Sequence, residues 1–307
     1  MDDLRRMAVF AAVVRRGSMS GAARELGMST SAVSQQVRQL EQAGGVTLLH
    51  RSTRKLALTE AGVRFHLRCA ELVAAAEQAR AELQASRETP SGELRIAATV
   101  GFGTHVQPAL GPMLEAHPAL RLSLQVDDAT IDLIEARIDL AVRYGRLKDS
   151  NWVAKRLGSF DVWICAAPAY LARHAPVGTP DELAAHTWLS LTRGTFALSL
   201  AAASGKRKGR QLPLTSDAVQ IAPRITCNNQ LTLQQMCVAG MGVALLGSID
   251  VHEDIAAGRL VRLLPECGLP GLDIWAVTPQ RDAQPAKVRM AIAALEQHFR
   301  NLPGVRA

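Results

Sequence analysis

The stretch from residue 18 to residue 41 constrains this chain most, because it predicts two short helices joined by a tight turn. Ser18 or Ser20 can cap the first helix, since a short hydroxyl side chain accepts hydrogen bonds from the unpaired N–H groups of a first helical turn. That helix reaches about Leu26, and Gly27 then breaks the pattern. A second helix begins directly after this turn.

The second helix, capped by Ser29, has two faces of opposite character. Val33, Val37 and Leu40 lie at spacings i, i+4 and i+7 and form one stripe that is expected to be buried. The other face is polar, rich in hydrogen-bond donors and without acidic groups. It carries Ser31, Ser34, Gln35 and Arg38.

Two short helices with a glycine turn, the second presenting such side chains, are typical of a helix-turn-helix. Arginine can pair with guanine, glutamine with adenine, and serine with bases or phosphates, so this face suits the major groove of duplex DNA. The alternative is an ordinary amphipathic helix with a solvated polar face, because helix-turn-helix patterns are short and match by chance.

The segment from residue 46 to residue 62, VTLLHRSTRKLALTEAG, favours the DNA-binding interpretation. It combines a basic cluster with a strand-like alternation over residues 56 to 58, which resembles a wing lying beside the DNA backbone. The basic side chains expected to hold phosphates or the adjacent minor groove are Arg51, Arg54 and Lys55.

Four motifs in this region point to one family. They are F-x-x-V-V-x-x-G-S at residues 10–18, A-A-x-x-L at 22–26, S-A-V-S-Q-Q-V-x-x-L-E at 31–41 and L-L-x-R-S-T-R-x-x-x-L-T-x-A-G at 48–62. Together they resemble the LysR-type transcriptional regulator family, which implies a winged helix-turn-helix. The chain departs from the family pattern at Gly44, where a leucine is usual, and at Leu49, where many members carry phenylalanine.

A long helix is predicted after Thr59, from about residue 60 to residue 87, because the composition favours helix and Thr59 can cap it. Its apolar residues follow the 4, 3, 4, 3, 4 spacing of a coiled-coil seam. They are Phe65, Cys69, Leu72, Ala76, Ala79 and Leu83. A solvated helix would not need this seam, so we expect the helix to pair two protomers over a roughly two-fold symmetric DNA site.

The positive charge is concentrated at the N-terminus. The 307 residues, enough for about two domains, carry a net charge of +7. The first 68 residues hold eleven basic and five acidic side chains, which is nearly all of the excess and is the pattern expected of a DNA-binding domain. No apolar run reaches the ~20 residues of a membrane helix and the N-terminus lacks a secretory signal pattern, so we expect a cytoplasmic protein without membrane association.

Beyond a hinge at residues 88–92, strands alternate with helices, which predicts parallel sheets with helices on both faces. One of these helices is expected to be short, at about residues 130–136. The whole chain is therefore predicted to be an α/β multidomain protein.

The family resemblance continues, more loosely, into this region. It rests on S-G-E-L-R-I at residues 91–96, D-L-A-V-R at 139–143 and V-A-G-M-G-V-A-L-L at 238–246. The resemblance implies a C-terminal effector-binding domain of two Rossmann-like lobes, similar to a periplasmic binding protein. The domains expected are a winged helix-turn-helix at 1–62, a linker helix at 63–89 and an effector-binding domain at 90–300, with lobe I at about 92–160 and 268–300 and lobe II at about 161–267.

Ligands of open α/β sheets lie outside the carboxyl ends of the strands, near helix N-termini. The candidates at such places are Thr99, Gly101, Phe102, Arg143, Tyr144, Thr192 and Asn228. Arg143 and the helix N-termini favour a small anionic or polar effector. The alternatives are a simple turn at Thr99, a structural ion pair at Arg143 and a helix cap at Asn228 or Asn229.

Two further features leave alternatives open. The basic run from Lys206 to Arg210 is either a solvated hairpin tip or a contact with DNA or RNA polymerase.

The five dispersed cysteines suit reduced, buried thiols. Some members of the resembled family, however, sense oxidants through a cysteine pair, for which Cys227 and Cys237 would be the candidates here.

Other classes of protein find less support. The sequence contains no signature of a hydrolase, metalloprotease or nucleotide-binding loop, and it predicts no enzyme, cofactor or metal site. A solute-binding protein would need a signal segment and would not need residues 1–88. We therefore expect a DNA-binding regulator, modulated by a small-molecule effector between the lobes, that forms a homodimer or, as is common in the resembled family, a homotetramer. The effector, the target genes and the choice between activation and repression stay open.

Overall fold

The computed structural model describes residues 2–51, 56–128, 132–147, 152–202, 218–279 and 284–306, with the side chains of Arg51 and Ala202 excepted. The chain divides into two compact units, Met1–Ala85 and Ser86–Ala307. Within the described ranges, no helix has the length and apolar character needed to cross a membrane.

The first unit is built from helices and one hairpin. Its elements are α1 (Asp2–Arg16), α2 (Met19–Leu26), α3 (Thr30–Gly44), β1 (Leu49–Arg51), β2 (Leu56–Leu58) and α4 (Glu60–Glu88), the last of which begins in this unit. Ser18 caps α2, since its hydroxyl accepts the Gly21 N–H at 3.0 Å, and Gly27 ends that helix at a φ of 65°. The antiparallel pair β1 and β2 confirms the expected wing.

The core of this unit forms where α1 packs against α2 and α3. Phe10 and Val13 of α1 are fully buried, as are Val33 and Val37 of α3, which confirms the predicted stripe. Burying each such side chain contributes about 1.5–3 kcal/mol. Leu4 of the same helix is 50% exposed. At about 100° per residue it lies about 120° around α1 from Phe10 and therefore off the stripe.

The predicted seam of α4 divides into two parts. Phe65 and Cys69 pack into the core of their own unit, and the Phe65 ring centroid lies 5.7 Å from that of Phe10. Leu72 is half-buried, and the last three positions of the seam are exposed, with Leu83 at 71%. The first two apolar positions of the seam therefore stabilise the helical unit itself, and only the later ones face outward.

The second unit contains two sheets. The described strands of the first sheet are β3 (Gly92–Ala98), β4 (Leu120–Val126), β5 (Leu140–Tyr144), β6 (Val153–Phe160), β16 (Leu272–Thr278) and β17 (Val305–Arg306). They lie side by side in the order β17-β6-β16-β5-β3-β4. Helices α5 (Val100–Ala116) and α9 (Ala286–Asn301) pack together over the core of this sheet.

This sheet is mixed, so the prediction of parallel sheets was wrong. Strand β3 runs parallel to β4 and β5, whereas β16 is antiparallel to β5 and β6. Leu272, at the start of β16, pairs with Phe160, at the end of β6. The chain thus re-enters the sheet beside the point where it leaves, and this connection reverses the strand direction.

The short helix expected at about residues 130–136 was also wrong in its described part, which forms turns. The Asp132 carboxylate accepts the N–H groups of Ile134 and Glu135 at 2.8 and 3.1 Å. Arg137 then adopts a left-handed φ of 52°. The Ala136 N–H also donates to the Asp132 carbonyl at 3.1 Å, as in a helix, so the segment closes one turn. The left-handed Arg137 ends that turn before a helix can extend.

The second sheet has five described strands. They are β7 (Val162–Ala166), β8 (Trp188–Ser190), β12 (Ile225–Thr226), β13 (Val243–Gly247) and β14 (Val261–Leu263), in the order β12-β8-β13-β7-β14. Two smaller antiparallel pairs join β9 (Phe196–Leu198) to β11 (Val219–Ile221) and β10 (Ala201–Ala202) to β15 (Cys267–Gly268). Helices α6 (Pro168–Leu171), α7 (Gln230–Val238) and α8 (Ser248–Ala256) and a 3-10 helix (Asp181–Ala185) complete this lobe.

The two sheets form the cores of two lobes that the chain joins twice. It crosses at Asp161, between β6 and β7, and again between Gly268 and Leu272. This arrangement confirms the predicted two-lobed fold. It also brings the start of α5 in one lobe close to the starts of α7 and α8 in the other.

Candidate nucleic-acid interface and ligand cavity

The polar face of α3 points away from the core of the first unit. Ser31, Gln35 and Arg38 are exposed, and Ser34 is half-buried. Arg38 makes no hydrogen bond or ion pair within the described part of the chain. Ser29 caps the helix by accepting the Ala32 N–H at 3.2 Å. A capped helix with a buried apolar stripe thus presents these four side chains together on its outer side.

Glu41, at the end of α3, holds the start of the hairpin. Its carboxylate accepts the backbone N–H groups of Leu48 and Leu49 at 2.9 and 3.1 Å. Charged acceptors form the stronger hydrogen bonds of this kind. We did not expect this role from the sequence. One sequence feature could have indicated it: Glu41 is an acidic residue on a helix whose predicted DNA-facing side has no acidic side chain.

Thr59 closes the other side of the hairpin. Its hydroxyl donates to the carbonyl of Thr47 at 2.8 Å and accepts the Gly62 N–H at 2.9 Å. Gly62 has no room for a side chain, because a Cβ there would lie 2.1 Å from the Leu48 carbonyl oxygen. The hairpin is therefore fixed to α3 through Glu41 and to α4 through Thr59 and Gly62.

The basic groups predicted to contact phosphates come, in the sequence, at the end of β1 and between β1 and β2. Arg51 ends β1, but its side chain lies outside the description, as do Arg54 and Lys55 altogether. Elsewhere in the unit, Arg15 and Arg16 both pair with Glu25. Hydrogen bonds from Arg16 and then Arg15 hold the pKa of Glu25 below its usual value, and the one carboxylate offsets one of the two positive charges.

A cavity of about 410 Å³ lies between the two lobes of the second unit, within the size range typical of small-molecule sites. Most of its described wall is apolar. The lining residues include Gly101, Phe102, Tyr144, Phe160, Val162, Leu191, Leu245, Leu269, Pro270 and Leu272. The Phe102 and Tyr144 rings stack, with centroids 5.7 Å apart and planes at 25°.

The polar groups of this cavity are mainly acidic. Asp128, Gln230 and Asp250 line it, and among the described lining residues there is no lysine, arginine or histidine. Burial raises the pKa of Asp250 to about 6. Burial, followed by the negative charges of Asp128 and Asp250, raises the pKa of the Tyr144 hydroxyl.

The structure brings three of the seven predicted effector residues together in this cavity, namely Gly101, Phe102 and Tyr144. Thr99 is buried at the start of α5 and its hydroxyl has no hydrogen-bond partner among the described residues. Arg143, on β5, is half-buried. Burial lowers the pKa of Arg143, against the opposing effect of Asp128 and then Asp127.

The remaining two candidates, Thr192 and Asn228, are exposed and do not line the described cavity. The Thr192 N–H donates to the Ser190 hydroxyl at 3.1 Å. The cap of α7 is Asn229, whose side chain accepts the Thr232 N–H at 3.0 Å. Effector contacts of these residues stay predictions.

Sequence reasoning missed Gln230 and Asp250 as lining residues. Both stand in the first turn of a helix, and the helix of Asp250 directly follows the strand β13. The rule that selected the Thr99 loop, a ligand site at the carboxyl end of a strand, applies equally to Asp250 and could have identified it.

The cysteines considered for redox sensing lie in different surroundings. Cys237 is buried, its thiol donates to the carbonyl of Cys165 at 3.3 Å, and burial raises its pKa to about 12. Cys227 is partly exposed. A thiol with so high a pKa forms little of the reactive thiolate, which favours a packing role for Cys237.

Family models match almost the whole chain. Residues 4–63 match the helix-turn-helix domain of bacterial regulatory proteins of the lysR family. Residues 87–300 match the LysR substrate binding domain. The two matches correspond to the helical unit that presents α3 and to the unit that contains the interlobe cavity.

Known relatives extend over the full length. The chain is 34% identical over 300 residues to the HTH-type transcriptional regulator DmlR of Escherichia coli, covering 97% of this chain and 94% of that protein. The solved structure of CrgA, a LysR-type transcriptional regulator from Neisseria meningitidis, is 31% identical with a TM-score of 0.57, covering 96% and 98% of the two chains.

A full-length variant of AphB has the same fold, with a TM-score of 0.74, 24% identity and coverage of 95% and 97%. Family matches, sequence relatives and fold thus agree with the exposed polar face of α3 and with the two-lobed second unit. The chain belongs to the LysR family of transcriptional regulators and is a DNA-binding regulator modulated by a small-molecule effector.

Proposed function

We propose that the polar face of α3 reads the sequence of the target DNA in the major groove. Ser31, Ser34, Gln35 and Arg38 supply donors and acceptors that match base edges. The observation that carries this proposal is that Ser31, Gln35 and Arg38 are exposed on the side of α3 opposite its fully buried stripe. Arg38, which has no ion-pair partner in the described part of the chain, has its charge available for a guanine.

The phosphate contacts are assigned to Arg51, Arg54 and Lys55, which follow one another closely in the sequence. Replacing a phosphate-binding base weakens binding to all sequences alike and lowers the salt dependence by about one charge. Arg54→Ala should therefore flatten the salt dependence with little change in sequence preference.

Two protomers pair through α4 in this proposal. The later seam residues Ala76, Ala79 and Leu83 are exposed, as are Val63 at 48% and Leu67 at 59%. A 29-residue helix with exposed apolar side chains would bury them against a second copy. The dimer, or a tetramer formed from two dimers, would place two α3 helices on a roughly two-fold symmetric site.

The interlobe cavity is the proposed effector site. An effector shifts the equilibrium between two arrangements of the DNA-binding heads only if it binds those arrangements with different affinities. The described lining offers polar groups but no basic side chain, which supports a polar effector over an anionic one. Contact with RNA polymerase, and a cytoplasmic location beside the DNA, complete the proposal.

The test is a fluorescence-anisotropy titration of the full-length protein on the DNA directly upstream of its own coding region. An unrelated duplex of equal length serves as the control, and both are measured at several salt concentrations. We expect tight, salt-dependent binding with a clear preference for the upstream DNA. Weak and equal binding to both duplexes would contradict the proposal.

A further inference from the structure

We propose that the interlobe cavity binds an amine, that is, a small molecule with an apolar body whose protonated amino group lies between Asp128 and Asp250. This inference rests on the proposed function, which makes the cavity the effector site, and it adds the chemical class of the effector. Of the anionic or polar effector that the sequence suggested, it excludes the anionic alternative.

The two carboxylates meet at the start of α5. The Asp128 carboxylate accepts the backbone N–H of Val100 through Oδ1, at 2.9 Å. Both oxygens of Asp250 lie 3.7 Å from the position a Cβ would take on Gly101, the next residue. Asp128 comes from the first lobe and Asp250 from the second, so a group between them contacts both lobes.

Neither carboxylate has all its hydrogen-bonding capacity filled. Asp128 Oδ2 is buried and accepts no hydrogen bond from the described residues. The Asp250 side chain has no hydrogen bond or ion pair with the described residues. Leaving buried charged acceptors unpaired is costly, and burial raises the pKa of Asp250. A ligand with several N–H donors and a positive charge would relieve this cost.

The helix N-termini around the cavity would attract an anion if they were empty. The chain supplies its own acceptors there. Asp128 takes an N–H of α5, Asn229 takes one of α7, and Asp250 stands in the first turn of α8. The charge of Arg143 is opposed by Asp127 and Asp128. An anionic ligand would therefore meet two carboxylates beside these N-termini.

The rest of the cavity suits a hydrocarbon. Phe102 and Phe160 are 3% and 4% exposed, and Leu245 and Leu272 add aliphatic surface from the two lobes. The stacked pair of Phe102 and Tyr144 also offers aromatic surface, which attracts cations. The combination predicts an arylalkyl or branched alkyl amine.

The test compares three pairs of probes that differ mainly in the sign of their charge. They are benzylamine with benzoate, 2-phenylethylamine with phenylacetate, and 3-methylbutylamine with 3-methylbutanoate. Binding to the full-length protein is measured by isothermal titration calorimetry at pH 7.5. We expect at least one amine to bind ten-fold more tightly than its carboxylate partner.

Variants then locate the bound amine. Asp250→Asn, which keeps the shape but not the charge, should weaken amine binding ten-fold or more. Asp128→Asn keeps an oxygen for the Val100 N–H and should do the same, so the test does not depend on one variant folding. Glu253→Gln, an exposed change on the same helix, should leave the affinity unchanged.

The proposal is overturned if no amine binds, if each carboxylate binds as tightly as its amine, or if both aspartate variants bind like the wild type. Measuring DNA binding by anisotropy in the presence of each probe distinguishes a failure of the amine proposal from a failure of the proposed function. A carboxylate that binds and changes DNA affinity refutes the amine alone. An amine that binds through Asp250 without changing DNA affinity refutes effector regulation through the cavity.

Discussion

The hairpin of the first unit and the interlobe cavity of the second use acidic and polar side chains in opposite ways. At the hairpin, Glu41 accepts two backbone N–H groups and Thr59 both donates and accepts. In the cavity, Asp128 keeps one buried oxygen without a hydrogen bond, and the Asp250 side chain finds no partner, in the described part of the chain.

The difference agrees with what each region is proposed to bind. A surface that reads DNA needs its outward groups held rigidly, so the groups behind it are satisfied within the protein. A ligand cavity needs inward-facing polar groups that have no partner within the protein. Leaving these groups unpaired costs free energy, which the bound ligand then recovers. The stability of the first region should therefore respond most to substitutions that add bulk, and that of the second to substitutions that change charge.

The largest effect is expected from Gly62→Ala. A Cβ there would lie 2.1 Å from the Leu48 carbonyl oxygen, so the hairpin and α4 would have to separate. Overpacking of this kind costs about 3 kcal/mol or more of the free energy of unfolding. Urea denaturation followed by far-ultraviolet circular dichroism should show the loss in the first unit.

Two controls accompany this variant. The four tryptophans, Trp152, Trp163, Trp188 and Trp275, all belong to the second unit, so the tryptophan fluorescence transition should not move. Gly44→Ala meets no atom within 4 Å and should leave both transitions nearly unchanged. A Gly62→Ala protein as stable as the wild type would show that the hairpin is not fixed at this point.

Asp250→Asn should change how the stability of the second unit depends on pH. Burial raises the pKa of Asp250 from 3.8 to about 6, so the folded protein binds this proton more tightly than the unfolded chain. That stability is fully present below about pH 4 and is lost as the pH rises to about 6. The variant lacks the titration, so its stability relative to wild type should rise by up to about 3 kcal/mol between pH 4 and pH 7.

The measurement is urea denaturation at both pH values, followed by tryptophan fluorescence because the tryptophans report on the second unit. Glu253→Gln removes one negative charge from the exposed side of α8 and serves as the control. A difference between Asp250→Asn and wild type that is the same at both pH values would mean that the Asp250 carboxyl is not buried.

These two regions also differ in how far the sequence could predict them. The buried stripe of α3, Val33, Val37 and Leu40, follows from spacing within one helix, and so does the polar face opposite it. The pairing of β6 with β16 could not be predicted in the same way, because the two strands lie more than a hundred residues apart in the chain. That Asp128 and Asp250 both lie beside the start of α5 depends on how the two lobes pack together. The local spacing of residues in the sequence does not predict this packing.

The smallest expected effect concerns two serines of α3, one of which should affect stability and the other DNA binding. Ser29→Ala removes the hydroxyl that accepts the Ala32 N–H and should cost about 1 kcal/mol of stability, the usual value of a helix cap. Ser31→Ala, two residues on, removes an exposed hydroxyl that lies 3.0 Å from the Ser29 hydroxyl but leaves the cap of the Ala32 N–H in place. It should weaken DNA binding with a smaller loss of stability than Ser29→Ala. Circular dichroism melting and anisotropy measured together test both. Equal effects of the two variants on stability would mean that Ser29 does not act as the cap.

The most direct single test of DNA reading by α3 is the affinity of Arg38→Ala for the preferred upstream duplex and for an unrelated duplex at the same salt concentration. Arg121→Ala, an exposed arginine of the second unit, is the matched control. We predict a loss of about 1–3 kcal/mol on the preferred duplex and a smaller loss on the unrelated one, so that the preference falls. An Arg38→Ala protein that keeps the wild-type preference would contradict the assignment of α3 as the helix that reads the DNA sequence.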